Sequence, residues 1–169
     1  MIYRFRVILD VETDVFRDIE IESETTLEDF HNVIVQAFGF DGNEMASFYK
    51  SDDNWHQGQE YSLFEMSEAS LMSETILQEV VSEQERNLLY IYDFFNMWIF
   101  FVELMEVADY QLGVSYPNVL SSHGFVPNEA PEKQFEAEDF DEFESEFNDF
   151  EFDQDEFDEL YGYNEEEYN

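Results

Sequence analysis

The sequence predicts an α+β domain in which a mixed or antiparallel sheet, built from hairpins, packs on one main helix. Three observations lead there. Tyr3, Phe5, Val7, Leu9 and Val11 alternate with Arg4 and Arg6, as a strand with one buried face requires. Leu27, Phe30, Ile34, Ala37 and Phe38 instead keep the spacing of one helical stripe. The third observation is an apolar block from Leu88 to Val107, broken by Asp93, Asn96, Glu103 and Glu106, which suits paired strands and is too interrupted for a membrane span.

The elements follow in order. After the polar turn Glu12-Thr13-Asp14, Val15 to Glu22 reads as a second strand. With Thr13 at the centre of the turn, Val7 faces Ile19, Phe5 faces Ile21, Arg6 meets Glu20 and Arg4 meets Glu22. Thr25-Thr26-Leu27-Glu28 has the form of a capping box with Thr25 as the cap, so a helix starts here, and Gly39 is placed to end it. Met45 to Ser51 suits a third strand, giving a β-grasp-like start of strand, strand, helix, strand. Asp52-Asp53-Asn54 is turn chemistry leading to Trp55 and a polar loop through Gly58. Between Ser67 and Arg86, the residues Thr75, Leu77 and Val81 fit a short helix or an edge strand.

The apolar block folds as a hairpin turning near Phe95-Asn96-Met97. In that register Leu88 faces Leu104, Tyr90 faces Val102, Tyr92 faces Phe100, Phe94 faces Trp98 and Ile91 meets Phe101. Apolar groups on both faces imply central, covered strands. Tyr110 to Pro131 holds five of the glycines and prolines that punctuate irregular chain, Gly113, Pro117, Gly124, Pro127 and Pro131, and is expected to run around the sheet edge into a linker.

Past Pro131 the composition changes. Residues 132–169 carry eighteen Asp or Glu, one Lys and ten Phe or Tyr, with Leu160 almost the sole aliphatic residue. Phe140, Phe143, Phe147 and Phe150 keep helical spacing, but the acids between them repel at neighbouring helical positions. This acidic tail is therefore expected to be disordered alone and to order when neutralised or bound.

Charge excludes whole classes of function. The 169 residues hold 43 Asp and Glu against 6 Lys and Arg, a formal net charge of −37, which opposes approach to nucleic-acid phosphate or to anionic membrane. The absence of cysteine removes disulfide frameworks, thiolate nucleophiles and thiolate zinc sites. The N-terminus lacks a signal-peptide pattern, so a cytoplasmic location is expected.

The order of features resembles the plasmid pRiA4b ORF-3-like family of bacterial proteins, some labelled insertion-element passenger proteins. The likeness runs over about residues 3–131. It is carried by Thr26-Leu27-Glu28-Asp29-Phe30-His31, Ala37-Phe38-Gly39-Phe40-Asp41, Met45-Ala46-Ser47-Phe48, Tyr90-Ile91-Tyr92-Asp93-Phe94 before Trp98, and Tyr116-Pro117. The resemblance implies a sheet packed on a helix and no established chemistry. It also implies that this chain departs from the family, with Phe95 and Asn96 in place of Gly-Asp, Phe100 in place of a histidine, and Glu44 and Ala46 where another histidine is frequent.

No catalytic constellation, cofactor site or metal site emerges from the residues. His31, His56 and His123 lie on separate segments with no ligand spacing, so surface or helix-side placement is expected. Ser121-Ser122-His123-Gly124 reads as a loop. Asp93, in an apolar hairpin, is a candidate acid or base, but bonding the turn amides is the preferred role. Trp55, Tyr92, Asp93 and Trp98 form a candidate small-molecule pocket, set against the commoner reading that these aromatics are core. The run Asp153-Gln154-Asp155-Glu156-Phe157-Asp158 lacks the glycine of a calcium loop, and Asn164 stands at its twelfth position. The function expected is a non-enzymatic interaction module for an unknown, basic protein partner, with Phe140, Phe143, Phe147, Phe150, Phe157 and Tyr161 as the partner-binding residues of the tail. Mimicry of DNA toward a DNA-binding protein is the alternative, and a small-molecule site or enzyme the third.

Overall fold

The computed structural model describes residues 1–65 and 68–131. Eight strands make one sheet: β1 (Ile2–Leu9), β2 (Phe16–Glu22), β3 (Ala46–Ser51), β4 (Gln57–Ser62), β5 (Ser70–Leu71), β6 (Asn87–Tyr92), β7 (Trp98–Ala108) and β8 (Asn118–His123). Their order across the sheet is β5-β4-β3-β6-β7-β1-β2-β8. Every neighbouring pair is antiparallel except β4–β5, so the sheet is mixed. The main helix, α1 (Leu27–Phe38), and a four-residue helix, α2 (Leu77–Val80), preceded by a 3-10 turn at Met72–Glu74, complete the elements. The chain divides after Pro131, and the Phe and Tyr positions named above in the acidic tail, with the carboxylate run from Asp153, lie outside the described residues.

The α+β expectation holds, with the strand-strand-helix-strand start in place. Both hairpin registers differ from expectation by two residues. In β1–β2, Phe5 faces Ile19, Tyr3 faces Ile21, Arg4 faces Glu20 and Arg6 faces Asp18. The connection is longer than a tight turn, since Leu9 donates its amide to Val15 and Val11 to Leu9. In β6–β7, Tyr90 faces Phe100, Ile91 faces Ile99 and Tyr92 faces Trp98, leaving Asp93 to Met97 as the turn. A slip of two preserves which face each side chain occupies, which is why the expected core residues are buried all the same.

Helix α1 begins one residue later than its box suggested. Thr26 is the N-cap, and its hydroxyl accepts the Asp29 amide at 3.1 Å. Gly39 ends the helix with φ of 81°, its amide reaching Val35 and Gln36 carbonyls. The helix lays Leu27, Phe30, Ile34 and Phe38 on the sheet. Phe30 sits between Phe5 (4.7 Å) and Phe48 (5.5 Å), Phe48 against Tyr90 (4.7 Å), and Phe38 against Phe100 (4.9 Å). Such ring pairs add about 0.5–1.5 kcal/mol each to area burial, so the aromatic content of the body is spent largely on this core.

Two segments, Gln57–Ser62 and Asn118–His123, depart from expectation, and a third holds both forms expected of it. The polar loop through Gly58 gives way at Gln57 to β4. Residues 70–80 hold both alternatives, a two-residue strand and a short helix. Asn118–His123, expected to be irregular and a loop, is an edge strand paired with β2. Pairing there is driven by contacts across the chain, with Asn118 and Ser121 hydrogen bonded to Glu20 and Asp18, while the strand itself is exposed and has weak alternation.

Candidate interaction surface

The helices cover one face of the sheet. The opposite face has a charged half and an apolar half, and both follow from strand alternation. On β1 and β2, Arg4 bonds Glu20 at 2.7 Å and reaches across to Glu106 on β7 at 2.8 Å. Arg6 takes Asp18 in a two-pronged pair at 2.9 and 3.0 Å and lies over the Phe16 ring. The Arg6 guanidinium holds the Asp18 carboxyl below its ordinary range, with Ser121 assisting and partial burial opposing. The expected partners of Arg4 and Arg6 were one cross-strand pair further along; the register moves each to the acid two residues earlier.

All five basic side chains of residues 1–131 are engaged within the domain. Lys50 pairs with Glu85 at 2.8 Å, and Arg86 donates to the Glu83 and Leu104 carbonyls. Arg17 is buried and has no carboxylate; its guanidinium donates to the carbonyls of Ala37, Phe16 and His123 and lies 4.8 Å from the Phe38 ring. It therefore joins the end of α1 to β2 and β8. Burial pulls its pKa down from the ordinary arginine value.

The apolar half is built by two aspartates. Asp52 accepts the amides of Asn54 (2.9 Å) and His56 (3.0 Å) and pairs with the His56 ring at 2.8 Å; these bonds hold its carboxyl down at about 2. The turn it makes places Trp55 at φ of 64°. Asp93, itself at φ of 64°, accepts the amides of Phe95 and Asn96 and the Asn96 side-chain amide at 2.6 Å, and the turn delivers Met97 at φ of 60°. Left-handed backbone at Trp or Met is uncommon and is maintained only where surroundings compensate. Here both side chains drop onto one patch, Tyr49, Leu89 and Ile91 with Ile99 and Phe101, and Trp55 meets Phe101 at 5.0 Å. At the hairpin tip next to Met97, Phe94 is 40% and Phe95 93% exposed.

The four residues of the candidate pocket do not line one cavity. Tyr92 and Trp98 point to the helix side, both against Phe40, and the Tyr92 hydroxyl accepts the Gly42 amide at 2.9 Å. Trp55 is on the opposite face, and Asp93 does the turn work preferred for it. A polar cleft of about 490 Å³ lies between the β3–β4 turn and residues 84–86, lined by Lys50, Asp52, His56, Gly58 and Arg86 among others, and includes none of the four. His31, for which surface or helix-side placement was expected, lies on α1 but is not at the surface: it is 2% exposed, shares a hydrogen bond with the Tyr90 hydroxyl, and burial lowers its pKa to about 4. His123 stacks on Phe16 at 5.0 Å. Among the described residues no group of three or more His, Asp or Glu is placed to hold a metal ion, and no helix is long and apolar enough to cross a membrane.

Sequence reasoning missed Met97 and Arg17. The signal for the first was present as Asp93 followed by Asn96, a pattern that closes a turn on itself; for the second, an arginine in a run otherwise expected to face the core gave none.

The plasmid pRiA4b ORF-3-like family model matches residues 1–163. The chain belongs to that family. The match continues past Pro131, so the likeness is not confined to 3–131 and takes in most of the acidic tail. Among solved structures, a protein of unknown function from Methanosarcina mazei Go1 is similar, with a TM-score of 0.67 at 18% identity over 75% of this chain and 72% of that one. At that identity the likeness is one of fold. No curated protein matches this pRiA4b ORF-3-like chain.

Proposed function

We propose that this family member is a non-enzymatic, cytoplasmic protein-interaction module whose acidic tail engages basic surfaces of a partner. The observation that carries this reading is the internal use of every basic side chain in residues 1–131 against 25 acids there, with eighteen more acids beyond. Surplus carboxylate without intramolecular cations attracts a basic partner and steers its approach. The aromatic residues interleaved with the tail acids, Phe140, Phe143, Phe147, Phe150, Phe157 and Tyr161, supply stacking and cation–π contacts that solubility alone does not require. The exposed Phe94–Phe95 tip beside the outer-face patch offers the folded body an apolar contact of its own.

Deleting residues 132–169 and repeating an affinity capture tests the proposal, with loss of basic partners expected and an unchanged partner set counting against it. The density of carboxylates in the tail favours one second reading, DNA mimicry. That reading requires the purified protein to displace DNA from a DNA-binding partner, and to do so less well as salt rises.

A further inference from the structure

The chain has one stretch that breaks its own charge pattern. Charged residues are 29% of the sequence, yet from Tyr110 to Asn128 there is no Asp, Glu, Lys or Arg. The other long neutral runs, in α1 and in β6–β7, lie mostly in buried core apart from the Phe94–Phe95 tip, whereas no residue of this one is buried. Five of the ten large hydrophobic side chains exposed among the described residues fall in it: Tyr110, Leu112, Val119, Leu120 and Phe125, with Leu112 and Phe125 more than nine-tenths exposed. At its centre is β8, which among the described residues has a strand neighbour, β2, on one side only.

An exposed sheet edge invites pairing with another chain, and proteins blunt such edges with charge, proline, bulges or shortness. The far edge of this sheet, β5, is two residues long. Strand β8 is six residues long, contains neither charge nor proline, and carries only a bulge at Leu120, between its pairings with Asp18 and Ile19. The nearest acids are already spent. Asp18 is bound by Arg6 and Ser121, and Glu20 by Arg4 and Asn118.

We infer that this neutral edge is where a second copy of the chain docks. A basic partner is recognised through carboxylates, and this surface presents none. Two copies that each carry −37, by contrast, approach closely only where neither brings charge. The two β8 strands meet antiparallel about a two-fold axis, so that each copy offers the same patch to the other. Because the bulge interrupts a long ladder, the contact rests on Val119, Leu120 and the flanking Leu112 and Phe125 as much as on strand hydrogen bonds.

The test is sedimentation equilibrium of the full chain in NaCl from about 0.1 M to about 1 M, which shortens the screening length from about 10 Å to about 3 Å. The expected result is a monomer–dimer equilibrium that strengthens as salt rises, the reverse of what a basic partner would show. Leu120→Asp and, separately, Phe125→Asp put a carboxylate into the patch at exposed positions and should each weaken dimerisation by about tenfold or more, with far-UV circular dichroism unchanged. A chain that is monomeric at every salt concentration, a dimer that salt weakens, or a dimer that neither substitution affects would overturn the inference. The salt response decides the matter even if one substitution disturbs folding.

Discussion

At the scale of single residues, Asp93 and His31 are decided by what surrounds them. The carboxylate of Asp93 takes two turn amides and a side-chain amide, and its own amide donates to the Met45 carbonyl at 2.7 Å. Asp93→Ala strips the acceptor while keeping a Cβ at positive φ, and is expected to cost about 1–3 kcal/mol in urea unfolding, with Asp93→Asn losing less. His31 is neutral in the fold with a pKa of about 4, against 6.5 for the free side chain. The unfolded chain therefore binds a proton below about 6.5 that the folded chain refuses until about 4. Stability from this group is complete above 6.5 and falls as pH drops through that window, by on the order of 3 kcal/mol at its lower end. The protonation of carboxylates is superimposed on this, so the measurement is the difference between wild type and His31→Gln across pH 4–7; the wild-type chain should lose more stability on acidification. What the sequence conveyed at this scale was residue chemistry, such as the turn-forming role of Asp93. Burial of His31 was not legible, because it depends on Tyr90, 59 positions away, arriving opposite it.

At the scale of elements, alternation and helical spacing placed the core face of β1, β2 and α1 correctly, since a face is a local property of the backbone period, whereas β6 and β7, apolar on both faces, gave no such choice. Registers were not local. Each hairpin is set by where a side chain or backbone group closes the connecting turn, and Asp93 stops β6 at Tyr92, two residues before hydrophobicity alone would stop it. Strand β8 was hidden for a related reason: its pairing rests on β2, about a hundred residues earlier in the chain, and on Arg17 holding the His123 carbonyl. Gly124 closes that strand at φ of 80°, and a Cβ there would stand 2.2 Å from the Asp14 carbonyl oxygen. Gly124→Ala should consequently destabilise the domain by about 2 kcal/mol or more in denaturant unfolding and release β8 first, seen as faster amide exchange over 118–123. Arg17→Met retains much of the stem packing on Phe38 but leaves the Ala37, Phe16 and His123 carbonyls unpaired. A loss of about 2–4 kcal/mol is expected by the same assay.

At the scale of the whole molecule, acidity is common to body and tail, and what differs is its company. In the body the cations are all spoken for and the outer sheet face divides into paired charges and an apolar patch. In the tail the acids alternate with rings. Self-repulsion at −37 predicts that thermal stability rises with NaCl, because screening relieves the folded state more than the expanded one; a melting temperature that falls with salt would mean the paired arginines outweigh the surplus acids. Composition made the acidity plain and also exposed the interleaving of rings. Whether Trp55, Tyr92, Asp93 and Trp98 share a pocket is not decidable from spacing, since that requires two strand faces to meet. The central claim, that the tail recognises basic partners through rings as well as charge, is tested most directly by affinity capture from the native cell with two full-length baits. One is the wild-type chain, and the other replaces Phe140, Phe143, Phe147, Phe150, Phe157 and Tyr161 by Ser with every acid retained. Basic partners recovered by the first should be lost or strongly depleted with the second, and recovery of the same partners by both would contradict recognition through the rings.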